Sequence, residues 1–318
     1  MRRVVARRAF ETAILLLVVS FAIYALIGLM PGDPIDLMIS ADPRVTSADA
    51  ARLKALYGLD RPLVERYGRW LASALTGDFG YSRLYGQPVV AVLLPRLFNT
   101  LLLMGPSLIL ALALALPAGV LCALRPASRL DATLNLLAFA GFSLPSFWLA
   151  LLLILLFSVV LGWLPAGGVA SPDGGDLLDR ARHAVLPVLT LTLLTAGSFL
   201  RFVRAALLET LSDDYVRTAR AKGCGLRRVV LVHALPNAAL PIVTVVALHM
   251  GTLLSGALVV ETVFAWPGTG RLVYDAILGN DYNLALAALM LATLLTLSAN
   301  FLADLLYLRL DPRIREGV

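Results

Sequence analysis

Residues 201–236 read RFVRAALLETLSDDYVRTARAKGCGLRRVVLVHALP. Seven Lys or Arg fall between Arg201 and Arg228, in a chain of 318 residues that is 59% hydrophobic and 15% charged. Ordinary globular domains carry roughly 25% charged residues. On both sides of this stretch the sequence is apolar for about 20 residues at a time, the helical length that crosses a bilayer core of about 30 Å. A basic segment with helix signals, set between two membrane spans, is a place where a soluble partner can grip a membrane protein.

Working outward, six apolar spans are readable, at about 10–30, 98–124, 132–161, 184–200, 238–260 and 284–308, the fourth continuing past Arg201. The fold class is all-α, a polytopic membrane protein. The first span follows Arg2, Arg3, Arg7 and Arg8 but ends in Met30-Pro31-Gly32-Asp33-Pro34 rather than a small-residue cleavage site, so it reads as an uncleaved anchor. Sixteen Lys or Arg lie in the N-terminus, 125–131, 201–233 and the tail, against three (Arg180, Arg182, Arg271) in the opposite short loops. The positive-inside rule then puts both termini and the 201–233 segment in the cytoplasm. The net charge of +6 is read as topology; no aromatic or Gly-rich pattern points to nucleic acid.

The chain divides into 1–30 (tail and first span), 31–97 (the sizeable extramembrane region) and 98–318 (five spans with the 201–236 loop). The 31–97 insertion opens on a Pro-Gly-Asp-Pro turn, and helical periodicity is expected at 48–56 and 62–75. It reads as a small helical, outward-facing subdomain. Pro106, Pro117, Pro145, Pro187 and Pro241 fall within spans, where neighbouring helices can satisfy the freed backbone groups. Gly251 and Ser255 have small-residue packing spacing.

Within 201–236, Ser212 or Asp213 can accept an orphan backbone N–H at a helix start, and Asp213 and Asp214 suit its positive end. Tyr215, Val216, Arg217, Thr218, Ala219, Arg220, Ala221 and Lys222 then form about two turns. Gly223 follows, at the position where a left-handed conformation suits Gly. So short a helix gains little alone and makes sense pressed into a groove on another protein. A solvated loop with snorkelling Arg is the competing account.

Several function classes lose support. The chain has no phosphate-binding G-x-x-x-x-G-K-[ST] run, so ATP hydrolysis is not expected in it. Cys122 and Cys224 read as unpaired, three His offer no metal spacing, and neither a catalytic set nor a metal site is expected. No acidic or basic residue sits near mid-span, so the coupling groups of a proton- or sodium-driven carrier are missing. Glu261 and Asp304, near span ends, read as snorkelling or helix-end pairing. The spans offer instead Ser143, Ser146, Thr195, Ser198 and Asn300, candidates for a mostly neutral path or for helix packing.

The run from Tyr215 to Gly223, nine further residues, and His233-Ala234-Leu235-Pro236 resembles the EAA loop of ABC-importer permeases, E-A-A-x3-G-x9-I-x-L-P. Ala219, Gly223, Leu235 and Pro236 fall at the required spacing; Arg217, Thr218 and His233 replace the Glu, the first Ala and the Ile. The chain also resembles the dipeptide/oligopeptide/nickel branch through 30–34, Ser143–Trp148, Glu261–Gly270, Asp281-Tyr282 and 310–315. The resemblance implies the first permease subunit of a type I importer with six transmembrane helices, in the bacterial inner membrane. A second, similar permease and two cytoplasmic ATPase subunits, which would hold ATP and Mg, are implied as partners. A substrate-binding protein meeting the 31–97 subdomain is implied too. The segment Ser212–Gly223 would be the coupling helix. Implied cargoes are di- or oligopeptides, or alternatively a nickel chelate, an opine or glutathione. A self-contained secondary carrier and a transport-free scaffold are the alternatives from other classes.

Overall fold

The computed structural model describes residues 2–28, 61–172 and 174–310. The expected helix at 48–56, the Pro-Gly-Asp-Pro turn at 31–34 and the tail motif beyond Leu310 lie outside the described residues, as do the side chains of Gly251, Ser255 and Asp304. Among the described residues, four continuous helices are long and apolar enough to cross a membrane: α1 (Arg2–Gly28), α3 (Val89–Leu124), α6 (Leu177–Ser212) and α10 (Tyr282–Leu310). Two bent pairs bring the passes to six. One is α4 (Arg129–Ser143) with α5 (Ser146–Leu153). The other is the segment from Leu226 running into α8 (Leu235–Val263).

The expected third span at 132–161 is thus not one helix. It breaks between α4 and α5 with a bend of 102°. The cause is local. Pro145 lacks an N–H and pushes the residue before it out of the helical region. Leu144 is accordingly extended (φ −77, ψ 133), and so is Pro145 (φ −60, ψ 135), from which α5 starts. α5 then widens into a π-helical stretch, Ile154–Val160.

Contacts fix the helix directions. Leu103 and Leu186 share one cluster, and Thr192 Oγ1 donates to the Ser107 carbonyl. Further along, Gly119 lies so close to Val203 that a Cβ there would meet its side chain at 2.6 Å. α3 and α6 therefore run side by side in the same direction, in contact through small residues as membrane helices pack. α4 runs against α6, with Asp131 opposite Arg204. The short helix α7 (Asp214–Ala221) lies at the end where α3 and α6 finish. At the opposite end sit α2 (Leu63–Leu75), α9 (Thr269–Leu278) and a hairpin of β1 (Tyr81–Ser82) and β2 (Gln87–Pro88).

Outward-facing apolar side chains such as Phe10, Ile109, Leu136 and Val159 are well exposed on the bundle's flanks, as expected where the solvent is lipid. α2 lies where periodicity places it. Its Tyr67 and Trp70 pack on Phe21 and Tyr24 of α1, with ring centroids 5.1 to 5.8 Å apart, and Tyr67 shares a 2.6 Å hydrogen bond with Ser20. The hairpin is not signalled by periodicity. Asp281 holds it from the far side of the chain, accepting from Ser82 Oγ at 2.5 Å and Leu84 N–H at 3.0 Å.

Candidate functional site

At one end of the bundle α6 runs to Ser212, a single extended residue (Asp213, φ −66, ψ 149) turns the chain, and α7 follows. The expected side-chain cap is absent. Asp213 makes no capping hydrogen bond, and Ser212 Oγ donates back to the Glu209 carbonyl at 2.6 Å. The reason is the short joint: Ser212 is still the last residue of α6, so its hydroxyl serves the helix behind it. Asp214 stays in the first turn of α7, where its charge suits the helix dipole.

The far end of α7 is built as its sequence suggests. Gly223 has φ +81; its N–H reaches the Arg220 carbonyl at 2.9 Å, and Cys224 N–H reaches the Ala219 carbonyl at 3.1 Å. This paired pattern is a Schellman motif, completed by the apolar contact of its flanking residues in one cluster. No atom lies within 4 Å of a Cβ built on Gly223, so backbone conformation alone demands glycine there.

α7 is two-faced. Val216 is 0% and Ala219 7% exposed, packed on Val203, Ala206 and Leu207 of α6 and on Val229, Ala234 and Ala238. Asp214 and Arg217 point away, with side chains 93% and 78% exposed and a loose 3.6 Å ion pair between them. Tyr215, Thr218, Arg220, Ala221 and Lys222 are also exposed. Tyr215 has its hydroxyl pKa pushed up, first by partial burial and then by the charge of Asp213. The inner face thus seats α7 firmly on its own bundle and leaves a polar outer face that packs on no other element among the described residues.

α7 also leans on an unusual connection. Residues Val229–Ala234 are π-helical, with Leu235 N–H reaching back five residues to the Val230 carbonyl. Pro236 contributes no N–H where the chain returns to α geometry, and Asn237 Nδ2 donates to the His233 carbonyl at 2.8 Å. Such wide turns recur at functional sites.

The opposite end holds a different construction. Glu261, fully buried at the end of α8, accepts from Thr100 Oγ1 of α3 at 2.6 Å and from Arg271 N–H in the first turn of α9 at 2.9 Å. Thr100 Oγ1 also receives Thr269 N–H at 2.8 Å. Trp266 Nε1 donates to the Asn99 carbonyl, and Asn99 Nδ2 to that of Pro267, both at 3.0 Å. Of the two readings of Glu261, helix-end pairing is what the structure holds: the carboxylate caps α9 from a neighbouring helix.

The path candidates are scattered. Ser143 sits at the break between α4 and α5 and Ser146 opens α5. Thr195 is buried and donates to the Leu191 carbonyl of its own helix at 2.8 Å. Asn300 is half-buried on α10. Ser198 alone of the five lines the large cavity, of about 550 Å³, together with Asn135, Arg201, Phe202, Arg204, Ala205 and His249. Sequence reading missed this group. The fourth span is expected to run past Arg201, and α6 does so, but nothing local shows that Arg201 and Arg204 meet Asn135 of α4 and His249 of α8. Arg204 makes a two-pronged pair with Asp131 (2.7 and 2.8 Å), whose oxygens also receive Ala127 N–H and Asn135 Nδ2. The available signal was the i, i+4 spacing of Asp131 and Asn135 behind the Ser128 cap. Both cysteines are free, and among the described residues no group of His, Cys, Asp and Glu is placed to hold a metal.

Residues 115–316 match the family described as binding-protein-dependent transport system inner membrane component, and residues 1–103 match its N-terminal region. The chain is 39% identical over 312 residues to the oligopeptide transport system permease protein AppB of Bacillus subtilis (strain 168), covering 98% of each. It is 38% identical over 303 residues to the glutathione transport system permease protein GsiC of Escherichia coli O1:K1 / APEC, covering 94% of each. A structure of the MetNI methionine ABC transporter in inward-facing conformations shares the fold, with a TM-score of 0.54 at 22% identity over 67% of this chain and 94% of that one.

Proposed function

Because the chain belongs to the family of binding-protein-dependent transport system inner membrane components, we propose that it forms, with a second similar permease, the path of an importer for peptides. The chain itself is a multi-pass membrane permease subunit of the ABC-importer class, which displaces the self-contained carrier and the scaffold. In our reading ATP and Mg are held by two separate ATPase subunits, and hydrolysis takes place there. A binding protein delivers cargo at the end carrying α2 and the hairpin. Both chain termini face the cytoplasm, consistent with the basic residues gathered at the α7 end. Peptide cargo is supported by relatives named for oligopeptide and glutathione transport. The observation that carries the coupling role is the two-faced α7, seated on its own bundle by Val216 and Ala219 with Asp214, Arg217 and Thr218 turned out.

The test is site-specific cross-linking in a chain whose Cys122 and Cys224 are replaced by Ala. Thr218→Cys, exposed on α7, is expected to give an adduct with an ATPase subunit in the assembled transporter. Tyr81→Cys, exposed at the opposite end, is expected to give none. An ATPase adduct from position 81, or none from position 218, overturns the assignment.

A further inference from the structure

The cavity between α4, α6 and α8 has a charge balance that does not close among the described residues. Arg204 is neutralised by Asp131 in a two-pronged pair. Arg201, one turn earlier on the same helix, has no carboxylate within ion-pair distance among the described residues. Its guanidinium lies over the Phe139 ring, 4.6 Å from the centroid. That stacking holds the fork in place through its face and leaves its N–H edges free for an acceptor. Ser198 stands one turn away on the same wall, Asn135 lines it from α4, and His249 lines it from α8, edge-on to Phe199 with centroids 5.0 Å apart. With Arg204 already paired, one negative charge balances the cavity. A planar acceptor is the best match to a guanidinium fork. The volume, about 550 Å³, lies within the roughly 300–1,000 Å³ of sites that enclose small molecules.

We propose that this cavity binds the carboxylate of the transported solute, with Arg201 as its counter-charge. The proposal rests on the importer reading and places the site toward the α7 end, since α6 enters the bundle at Leu177 and Arg201 lies two thirds of the way along it. A carboxylate bound there is held near the exit side of the path. It also gives the permease a preference of its own, where a mostly neutral passage was expected. A phospholipid headgroup offers the same oxyanion chemistry, and the experiment separates the two sources.

The permease is purified with its second permease and ATPase subunits, without binding protein, into nanodiscs of phosphatidylcholine with or without phosphatidylglycerol. Alanyl-phenylalanine and its C-terminal amide are titrated by calorimetry. The free acid is expected to bind at least tenfold more tightly than the amide in both lipids. Arg201→Gln is expected to erase that difference and Arg201→Lys to keep part of it, a point charge replacing a fork. Ser198→Ala, expected to weaken the acid about threefold and leave the amide unchanged, decides the matter if Arg201→Gln does not assemble. Equal binding of acid and amide, no acid binding, or a preference untouched by these substitutions overturns the proposal. So does acid binding confined to phosphatidylcholine together with Arg201-dependent retention of phosphatidylglycerol, which makes the site a lipid's. Uptake of the same peptide by proteoliposomes supplied with binding protein is measured separately. Uptake without Arg201-dependent binding removes this site and leaves the importer reading intact. Failure of uptake removes the peptide-importer reading, while the titration still decides the site.

Discussion

The two ends of the bundle solve opposite problems. Around Glu261 the polar groups named above are used inside the chain: the carboxylate, Thr100, Thr269, Asn99 and Trp266 bond one another across α3, α8 and α9. Around α7 the polar residues point out, and the inside is purely apolar. A closed network in a buried place fixes the positions of three helices relative to one another. An apolar seat with a polar outer face fixes α7 on its own bundle and leaves it free to be held by something else. Rigidity at one end and availability at the other suit the coupling role proposed for α7.

This contrast can be broken by substitution, and the largest effect is expected at the closed end. A Cβ on Gly268 would stand 2.1 Å from the Glu261 carboxyl, so Gly268→Ala forces that side chain out of its cap. Overpacking of this kind costs about 1–3 kcal/mol, and the displaced carboxylate adds unmet donors to it. Gly268→Ala is expected to lower the thermal midpoint of the assembled transporter by several degrees, or to prevent recovery of folded protein. A midpoint equal to wild type would show that the Glu261 cap does not hold the end together.

Thr100→Val is the milder version. It keeps the shape, removes a donor to Glu261 and leaves Thr269 N–H without its acceptor, at a cost of about 1–3 kcal/mol. The midpoint should fall by less than with Gly268→Ala, and cross-linking from position 218 to the ATPase should persist. Loss of that cross-link in a folded Thr100→Val chain would mean that the two ends are not separable.

How far the sequence reveals these two ends follows from the range of the interactions. α1, α3, α6 and α10 are legible because a long apolar run in a membrane protein has little alternative to a helix. The turn at Gly223 is legible because a single residue type answers a single backbone requirement. The break at Pro145 carried its own signal, but the surrounding apolar run reads as one span unless the missing N–H is weighed against it. The helix start falls at Asp213, one of the two expected positions, but neither Ser212 nor Asp213 makes the side-chain cap, because the sequence does not show that α6 and α7 are joined by one residue. The Glu261–Thr100 bond and the Asp131–Arg204 pair join residues 161 and 73 positions apart. Beyond the i, i+4 spacing of Asp131 and Asn135 no local pattern announces them, and nothing near Arg204 in sequence pairs it with α4.

The central claim is that α7 passes motion between the bundle and a partner through its outer face, and Gly223 tests it most directly. Because space is open around it, Gly223→Val adds no clash and costs only the strain of a left-handed backbone, about 1–2 kcal/mol. That is the smallest stability effect of the three, and it is confined to the end of α7. The measurement is peptide uptake by proteoliposomes carrying the Gly223→Val chain, alongside its thermal midpoint and its recovery with the ATPase subunits. The account predicts a chain that inserts with a near-normal midpoint and transports at a tenth of the wild-type rate or less. Wild-type uptake from a stably inserted Gly223→Val chain would contradict it.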